Sequence, residues 1–444
     1  MNAFLVKQIT VVNEGKEFVS DVLIKDGIIA RIDPHIEDKK KKYIEINGED
    51  LHLFPGVIDN HVHFREPGYT EKATIASESK AAVAGGVTSF MEMPNTKPLA
   101  TSFEEVEKKL NLAKNASLAN YSFYIGASND NLEDLKSADY SRIPAIKIFM
   151  GSSTGNMLVD DYDVLTEIFS SCPKLIAVHA EEEGIIKQNI ETFTKKYGNN
   201  IPLSAHPLIR SVKACVKSTK KAIDLAKKNR AKLHVLHLTT ADEVPFFTND
   251  DINHKSVTTE VCVHHLLFDS DDYLLLGNKI KCNPAIKSKK HKKALLQGLK
   301  DNRIDIVCSD HAPHLASEKA QNYTKAPAGI PMVQHTLPNM LEFYHQGELG
   351  LTDIVQKMCH APAEIYQVKN RGYLREGFAA DCVIVDLQAY YTVNPNNIYY
   401  KCGWSPFENR PLKSEITHTF VNGNLVYEKG VFNEDARGEE LAFL

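Results

Sequence analysis

The residues of this chain best equipped for chemistry are a set of imidazoles and one carboxylate, each closing an apolar run. His61-Val62-His63 ends one such run, His179 a second, His237 a third and Asp310 a fourth. In an extended segment, residues two apart point to the same side, so His61 and His63 can converge on one ion. Four imidazoles and a carboxylate make a borderline-to-hard donor set suited to Zn²⁺ or a similar divalent cation. A single histidine after an apolar run is more often a hydrogen-bonded core residue than a ligand. The reading changes because all five close segments of the same kind. Lys147 lies within a further run, Ala145-Ile146-Lys147-Ile148-Phe149. A lysine in a buried strand is costly unless it is paired or chemically changed. Either it snorkels to a rim, or carbon dioxide caps its amine as a carbamate, converting a cation into a carboxylate-like bridge between two metals.

These residues need elements that aim them at one point. Eight Val/Ile-rich runs occur at 56–64, 86–94, 121–128, 145–153, 175–181, 233–240, 257–267 and 305–314. Seven of the gaps have room for a helix, most clearly at 104–117 and 211–229. Strand then helix, repeated eight times with buried strands, predicts an α/β fold of the (β/α)8 TIM-like barrel type, with its chemistry at the C-terminal strand ends. The two ends of the chain read differently. Residues 1–53 form short alternating strands with a hairpin signal at Asp26-Gly27, and the stretch from about 373 repeats that character with Asn422-Gly423. The expected organisation is a barrel over 54–372, with a small β-sandwich domain built from 1–53 plus 373–444.

Bulk properties narrow the class. The 444 residues exceed the ~250 of a simple barrel. A 43% hydrophobic, 25% charged composition is that of an ordinary globular protein. A net charge of −5 gives no reason to expect nucleic acid or an anionic membrane as a partner. No run of about 20 apolar residues occurs, and the N-terminus lacks the apolar core of a signal peptide. The eight cysteines are scattered, without a CxxC pair, and read as reduced thiols in a cytoplasmic protein. Lysine-rich runs at 38–43 and 287–293 read as solvated surface. Residues 315–330 show no periodicity and read as a loop over the barrel mouth, either a lid or a plain surface loop. His264, His265 and Glu260 on the seventh run read as structural.

Several blocks carry a family resemblance. His61-Val-His63-Phe-Arg65-Glu-Pro-Gly68 resembles the metal-binding signature of dihydroorotases and their amidohydrolase relatives. Met93-Pro94-Asn95-Thr96, Ser309-Asp310-His311-Ala-Pro-His314 and Lys281-Cys282-Asn283-Pro284 are similar to further blocks of that family, and Gly377-Phe-Ala-Ala-Asp381 to its return into the small β-domain. The resemblance implies that His61 and His63 hold one Zn²⁺ and that His179 and His237 hold a second. Lys147, carboxylated by CO₂, would bridge the two. Asp310 would bind metal and act as general acid/base. Arg65, Asn95 and His314 would hold the substrate carboxylate and ring, with Asn283 nearby. A carboxylate-bearing substrate needs a guanidinium such as Arg65, which can clamp it bidentately. Read without the family, Arg65 could form a surface salt bridge and Asn95 a turn. Departures from the pattern are Cys282, and Ala285 where a second proline is common.

The activity this implies is reversible interconversion of N-carbamoyl-L-aspartate and dihydroorotate in pyrimidine biosynthesis, on a small-molecule substrate and with a homodimer as the family-based expectation. Allantoinases and hydantoinase-type dihydropyrimidinases share the metal site and are the competing enzymatic reading. A non-catalytic scaffold partnering aspartate transcarbamoylase is the competing reading from another class. Such scaffolds are expected to lose ligands, whereas all six are present here.

Overall fold

The computed structural model describes residues 3–37, 42–151 and 157–444. Each of the eight apolar runs contains a strand: Val57–Val62, Val87–Glu92, Asn120–Phe123 continued by Ile125–Gly126, Ile146–Phe149, Ile176–His179, Leu233–Val235, Val257–Cys262 and Ile306–Cys308. Neighbours pair in parallel in chain order, in a three-stranded arc and a six-stranded arc. The third strand carries the pairing from one arc into the other on either side of Tyr124. The ring closes where Val62 bridges His311 and the His63 amide donates to the His311 carbonyl at 2.7 Å. Almost every strand residue is buried, because helices cover the outside and side chains fill the inside. The runs therefore read as continuously apolar instead of alternating. Ile58, Met91, Tyr124, Leu236, Cys262 and Ile306 belong to one interior cluster, so the barrel is a packed core.

The helices follow their sequence signals. Phe103–Ala116 is capped by the Ser102 hydroxyl, which accepts from the Glu105 amide at 3.4 Å. Val212–Asn229 is capped by Ser211 in the same way and turns Ala214, Ser218, Ala222 and Leu225 inward, leaving its lysines outside. The gap between the sixth and seventh strands differs. It holds only the short 3₁₀ turns Val244–Phe246 and Ile252–His254, since Pro245 and an Asn/Asp-rich stretch favour local side-chain bonds over a helix. Asp251, for example, accepts from the Asn253 amide.

Both ends of the chain enter one nine-stranded sheet. Its path runs Val431–Phe432, Asn424–Glu428, Glu415–Val421, Cys382–Asp386, His52–Pro55, Phe4–Asn13, Lys16–Lys25, Ile28–Asp33, and Ile44–Asn47 pairs with Phe4–Asn13. Asp26-Gly27 and Asn422-Gly423 both have positive φ at each position, as tight hairpins require. The two turns meet: a Cβ on Gly423 would lie 2.8 Å from the Gly27 Cα, so no side chain fits.

Among the described residues all eight cysteines are free, six of them buried. No helix among the described residues is long and apolar enough to cross a membrane. Of the lysine-rich run 38–43, residues 38–41 lie outside the described residues, as do 152 and 153 of the fourth run. The run 287–293 is not wholly surface. Lys287 is buried and donates to Thr239 Oγ1 and the Ala285 carbonyl, both at 3.0 Å.

Candidate metal centre and binding cavity

The C-terminal strand ends surround a cavity of about 390 Å³. Its wall includes all ten residues singled out from the sequence: His61, His63, Arg65, Asn95, Lys147, His179, His237, Asn283, Asp310 and His314. Backbone conformation aims three of them. His237, Asp310 and Arg65 have φ of 38°, 45° and 69°, a left-handed geometry that non-glycine residues adopt at a cost and that concentrates at functional sites.

Buried partners set the tautomers. His61 Nδ1 donates to Glu260 Oε1 at 2.6 Å. Burial would raise the Glu260 carboxyl, but His61 and His234 outweigh it and hold it well below the usual range, so Glu260 only accepts. His63 Nδ1 donates to the Asn95 carbonyl oxygen at 2.7 Å. In both rings Nε2 is left to face Asp310 Oδ1, at 3.3 Å from His61 and 3.2 Å from His63. Burial pushes His63 down to about 4, so that ring is neutral at pH 7 and presents a lone pair. Electron-rich donor atoms thus converge within 4.8 Å of one another, an arrangement that a cation between them satisfies.

A second convergence lies alongside. His179 Nε2 donates to Glu181 Oε2 at 2.9 Å, and Arg210 pairs with the same oxygen. Burial would raise Glu181, but Arg210 and His179 together bring it down to about 2. This fixes the His179 lone pair on Nδ1, which meets His237 Nε2 at 2.8 Å. His237 Nδ1 is buried and has no hydrogen-bond partner among the described residues. The His61 and His237 rings, 5.4 Å apart between centroids, join the two pairs into one cluster.

Lys147 is buried beside them. Among the described residues it forms no ion pair, and its Nζ lies 4.4 Å from the centre of the Phe149 ring. Burial brings its ammonium down to about 7. The donor set (imidazoles with fixed tautomers, one carboxylate and an amine open to carboxylation) fits two divalent cations of the Zn²⁺ kind.

The remaining wall is cationic. Arg65 Nε donates to the Pro313 carbonyl at 3.1 Å, and the guanidinium lies 3.1 Å from His314 Nε2. Lys72 donates to His314 Nδ1 at 3.2 Å, so the single ring proton of His314 sits on Nε2 and goes to the Ala328 carbonyl at 3.0 Å. Burial, with Arg65 and Lys72 nearby, keeps that ring neutral. Arg65 therefore faces the cavity with no salt bridge among the described residues. The loop after the eighth strand supplies Pro327, Ala328 and Gly329 to the wall. It is held there by Lys319, which donates to the carbonyls of Lys281, Pro327 and Gly329, and by Lys281, which donates to those of Tyr323 and Ala326.

Glu181, Arg210 and Lys72 escaped the sequence reading. Glu181 carried a signal: it sits two residues beyond His179, on the same side of an extended segment. Arg210 and Lys72 carried none, since they reach the site from loops. Asn95 is placed on the cavity wall, where its carbonyl oxygen orients His63.

The amidohydrolase family profile matches residues 52–426. The chain is 31% identical over 441 residues to a dihydroorotase of Pyrococcus horikoshii, covering 98% of this chain and 96% of that one. It is 28% identical over 421 residues to a dihydroorotase of Methanosphaera stadtmanae, covering 94% and 96%. Among solved structures, an L-hydantoinase (dihydropyrimidinase) from Arthrobacter aurescens superposes with a TM-score of 0.94 at 27% identity over the whole of both chains.

Proposed function

This chain is a member of the amidohydrolase family, and from that premise we propose that it is a dihydroorotase, opening dihydroorotate to N-carbamoyl-L-aspartate and closing it in reverse. One observation carries the choice of substrate: Arg65, a cation on the cavity wall beside the metal centre, forms no direct salt bridge among the described residues, although Asp310, Glu92 and Glu318 lie near enough to act on its charge. Desolvation of this half-buried guanidinium is only partly offset by those carboxylates, and a substrate carboxylate in direct contact would complete its pairing. Dihydroorotate carries such a carboxylate, whereas hydantoins, allantoin and dihydrouracil do not. The dihydroorotases among the relatives support the same choice.

His61 and His63 would hold one divalent cation, His179 and His237 the other, with Asp310 beside the first. CO₂ adding to the Lys147 amine gives a carbamate and releases one proton, and the carbamate would bridge the pair. Bound there, the cations would ready a water for attack and polarise the ring amide carbonyl. Asp310 accepts the proton of the attacking water and returns it to the ring nitrogen as the C–N bond breaks. Arg65 grips the carboxylate through two parallel N–H···O bonds, which orients the ring. Asn283 and His314 border the ring. Glu260, Asn95 and Glu181 keep the imidazoles in register through the cycle.

The L-hydantoinase superposition favours a second reading, a cyclic amidase for rings without the carboxylate. Purified protein assayed in parallel on dihydroorotate, allantoin, hydantoin and dihydrouracil decides between them. Turnover confined to dihydroorotate is expected. Absence of dihydroorotate turnover beside good turnover of another ring would overturn the proposal.

A further inference from the structure

Behind the cavity, the seventh strand ends in a second group of soft donors that the mechanism leaves unused. Cys262 closes the strand, and His264 and His265 follow on the short helix Val263–Leu267. One ligand atom from each of the three lies within 4.8 Å of the other two. All three residues are buried.

Their hydrogen bonding is incomplete in a way that points to a ligand. His265 Nε2 donates to the Pro284 carbonyl at 3.2 Å, which leaves the lone pair on Nδ1, and that atom has no partner among the described residues. A backbone carbonyl fixing the far nitrogen of an imidazole is the usual support of a metal-binding histidine. Burial lowers the His264 pKa to about 4 against a smaller upward pull from the Ser309 backbone, and neither nitrogen has a hydrogen-bond partner of acceptable geometry among the described residues. A fully buried imidazole with neither nitrogen satisfied is rare in a folded protein.

A thiol completes the set. Cys262 pairs in register with Cys308 on the eighth strand, and their sulfurs are 3.7 Å apart. Cys308 itself falls outside the convergent trio and groups instead with His61 and Glu260. Cys282 lies 3.7 Å from His265 Nε2. The cluster has sulfur and nitrogen donors and no carboxylate, unlike the cavity, where the donors are nitrogen and oxygen.

We propose that Cys262, His264 and His265 form a second cation site, distinct in its residues from the cavity's metal centre and selective for a cation softer than Zn²⁺, such as Cd²⁺. Binding replaces the Cys262 S–H bond by a sulfur–metal bond and releases the proton to solvent. The occupied site would tie the end of the seventh strand to the Cys282–Pro284 segment, which carries Asn283 into the cavity. This inference does not depend on which cyclic amide the enzyme opens.

The test is Cd²⁺ titration of the zinc-loaded enzyme, followed by thiolate-to-metal charge-transfer absorbance and by metal analysis. Among the described residues no cysteine lines the cavity, so a thiolate band reports a cysteine site and the variants identify which. One Cd²⁺ per chain above the zinc complement is expected, with a thiolate band. Cys262→Ser is expected to abolish the band, and His264→Gln or His265→Gln to weaken Cd²⁺ binding at least tenfold, with zinc content unchanged. Absence of the band in the wild-type enzyme would overturn the proposal. So would a band that survives Cys262→Ser, or one lost only on replacing the partly exposed Cys172 or Cys402, or undiminished affinity in both histidine variants.

Discussion

Replacing Arg65 with methionine separates recognition of the substrate carboxylate from the chemistry at the metal centre. Methionine keeps much of the length and bulk of the side chain, so the cavity wall is retained while the cation is lost. The Pro313 carbonyl loses one donor, and His314 keeps its partners in Lys72 and Ala328. Two charge-assisted hydrogen bonds to a carboxylate, at about 1.5–3 kcal/mol each, set the expected loss at roughly 3–6 kcal/mol in kcat/KM for dihydroorotate. At 1.36 kcal/mol per decade that is about 10²- to 10⁴-fold. Any residual turnover of dihydrouracil, which has no carboxylate to lose, is expected to change little. Zinc content is expected to stay that of the wild type, because Arg65 touches no proposed ligand directly. Equal losses on both substrates, or an unchanged kcat/KM for dihydroorotate, would refute the assignment of Arg65 to the carboxylate.

Lys147→Ala is expected to lower bound zinc below two per chain and to remove nearly all activity; full activity with unchanged zinc in that variant would rule out the bridge. Glu260→Gln removes the charge that fixes His61 and His234, and is expected to weaken zinc binding by about 10- to 100-fold, measured by competition with a chromogenic chelator. Far from the cavity, Lys357 donates to Asn302 Oδ1 and to the Ile304 carbonyl, and burial lowers its pKa from 10.5 to about 8. A depressed lysine is a cost to the folded state that is fully present below pH 8 and is relieved as pH rises to 10.5. Denaturant titrations should therefore show the wild type gaining on Lys357→Met by up to about 3 kcal/mol across that interval, and a difference that stays flat there would contradict the buried-lysine account.

Much of the barrel was legible because its strands are buried on both faces. Each read as an unbroken apolar run, and a polar residue closing such a run, as His179 does, had no other place than the barrel mouth. Lys147 stood out for the same reason, as a charge within a run that tolerates none. What stayed hidden lies in pairings between distant segments. Glu260 gave no functional signal on its own strand, although it anchors His61 from 199 residues away. Arg210 reaches Glu181 from a loop whose sequence has no periodicity. Lys287 looked like part of a solvated cationic run, because charge pattern does not reveal that Thr239 and the Ala285 carbonyl await its ammonium. The loop over the mouth read as a lid or a plain surface loop, whereas Lys281 and Lys319 fasten it through five backbone carbonyls. The helix missing between the sixth and seventh strands shows the limit of counting repeats, since local Asp and Asn bonding overrode the pattern.

The central claim is that two cations sit among six side chains brought together from five strand ends. Anomalous diffraction at the zinc edge, on crystals grown with zinc and bicarbonate, tests it most directly. Two peaks are expected: one among His61, His63 and Asp310, the other between His179 and His237, with carbamate density on Lys147 joining them. An absence of anomalous signal in the cavity, or a signal found only at other residues, would contradict the account.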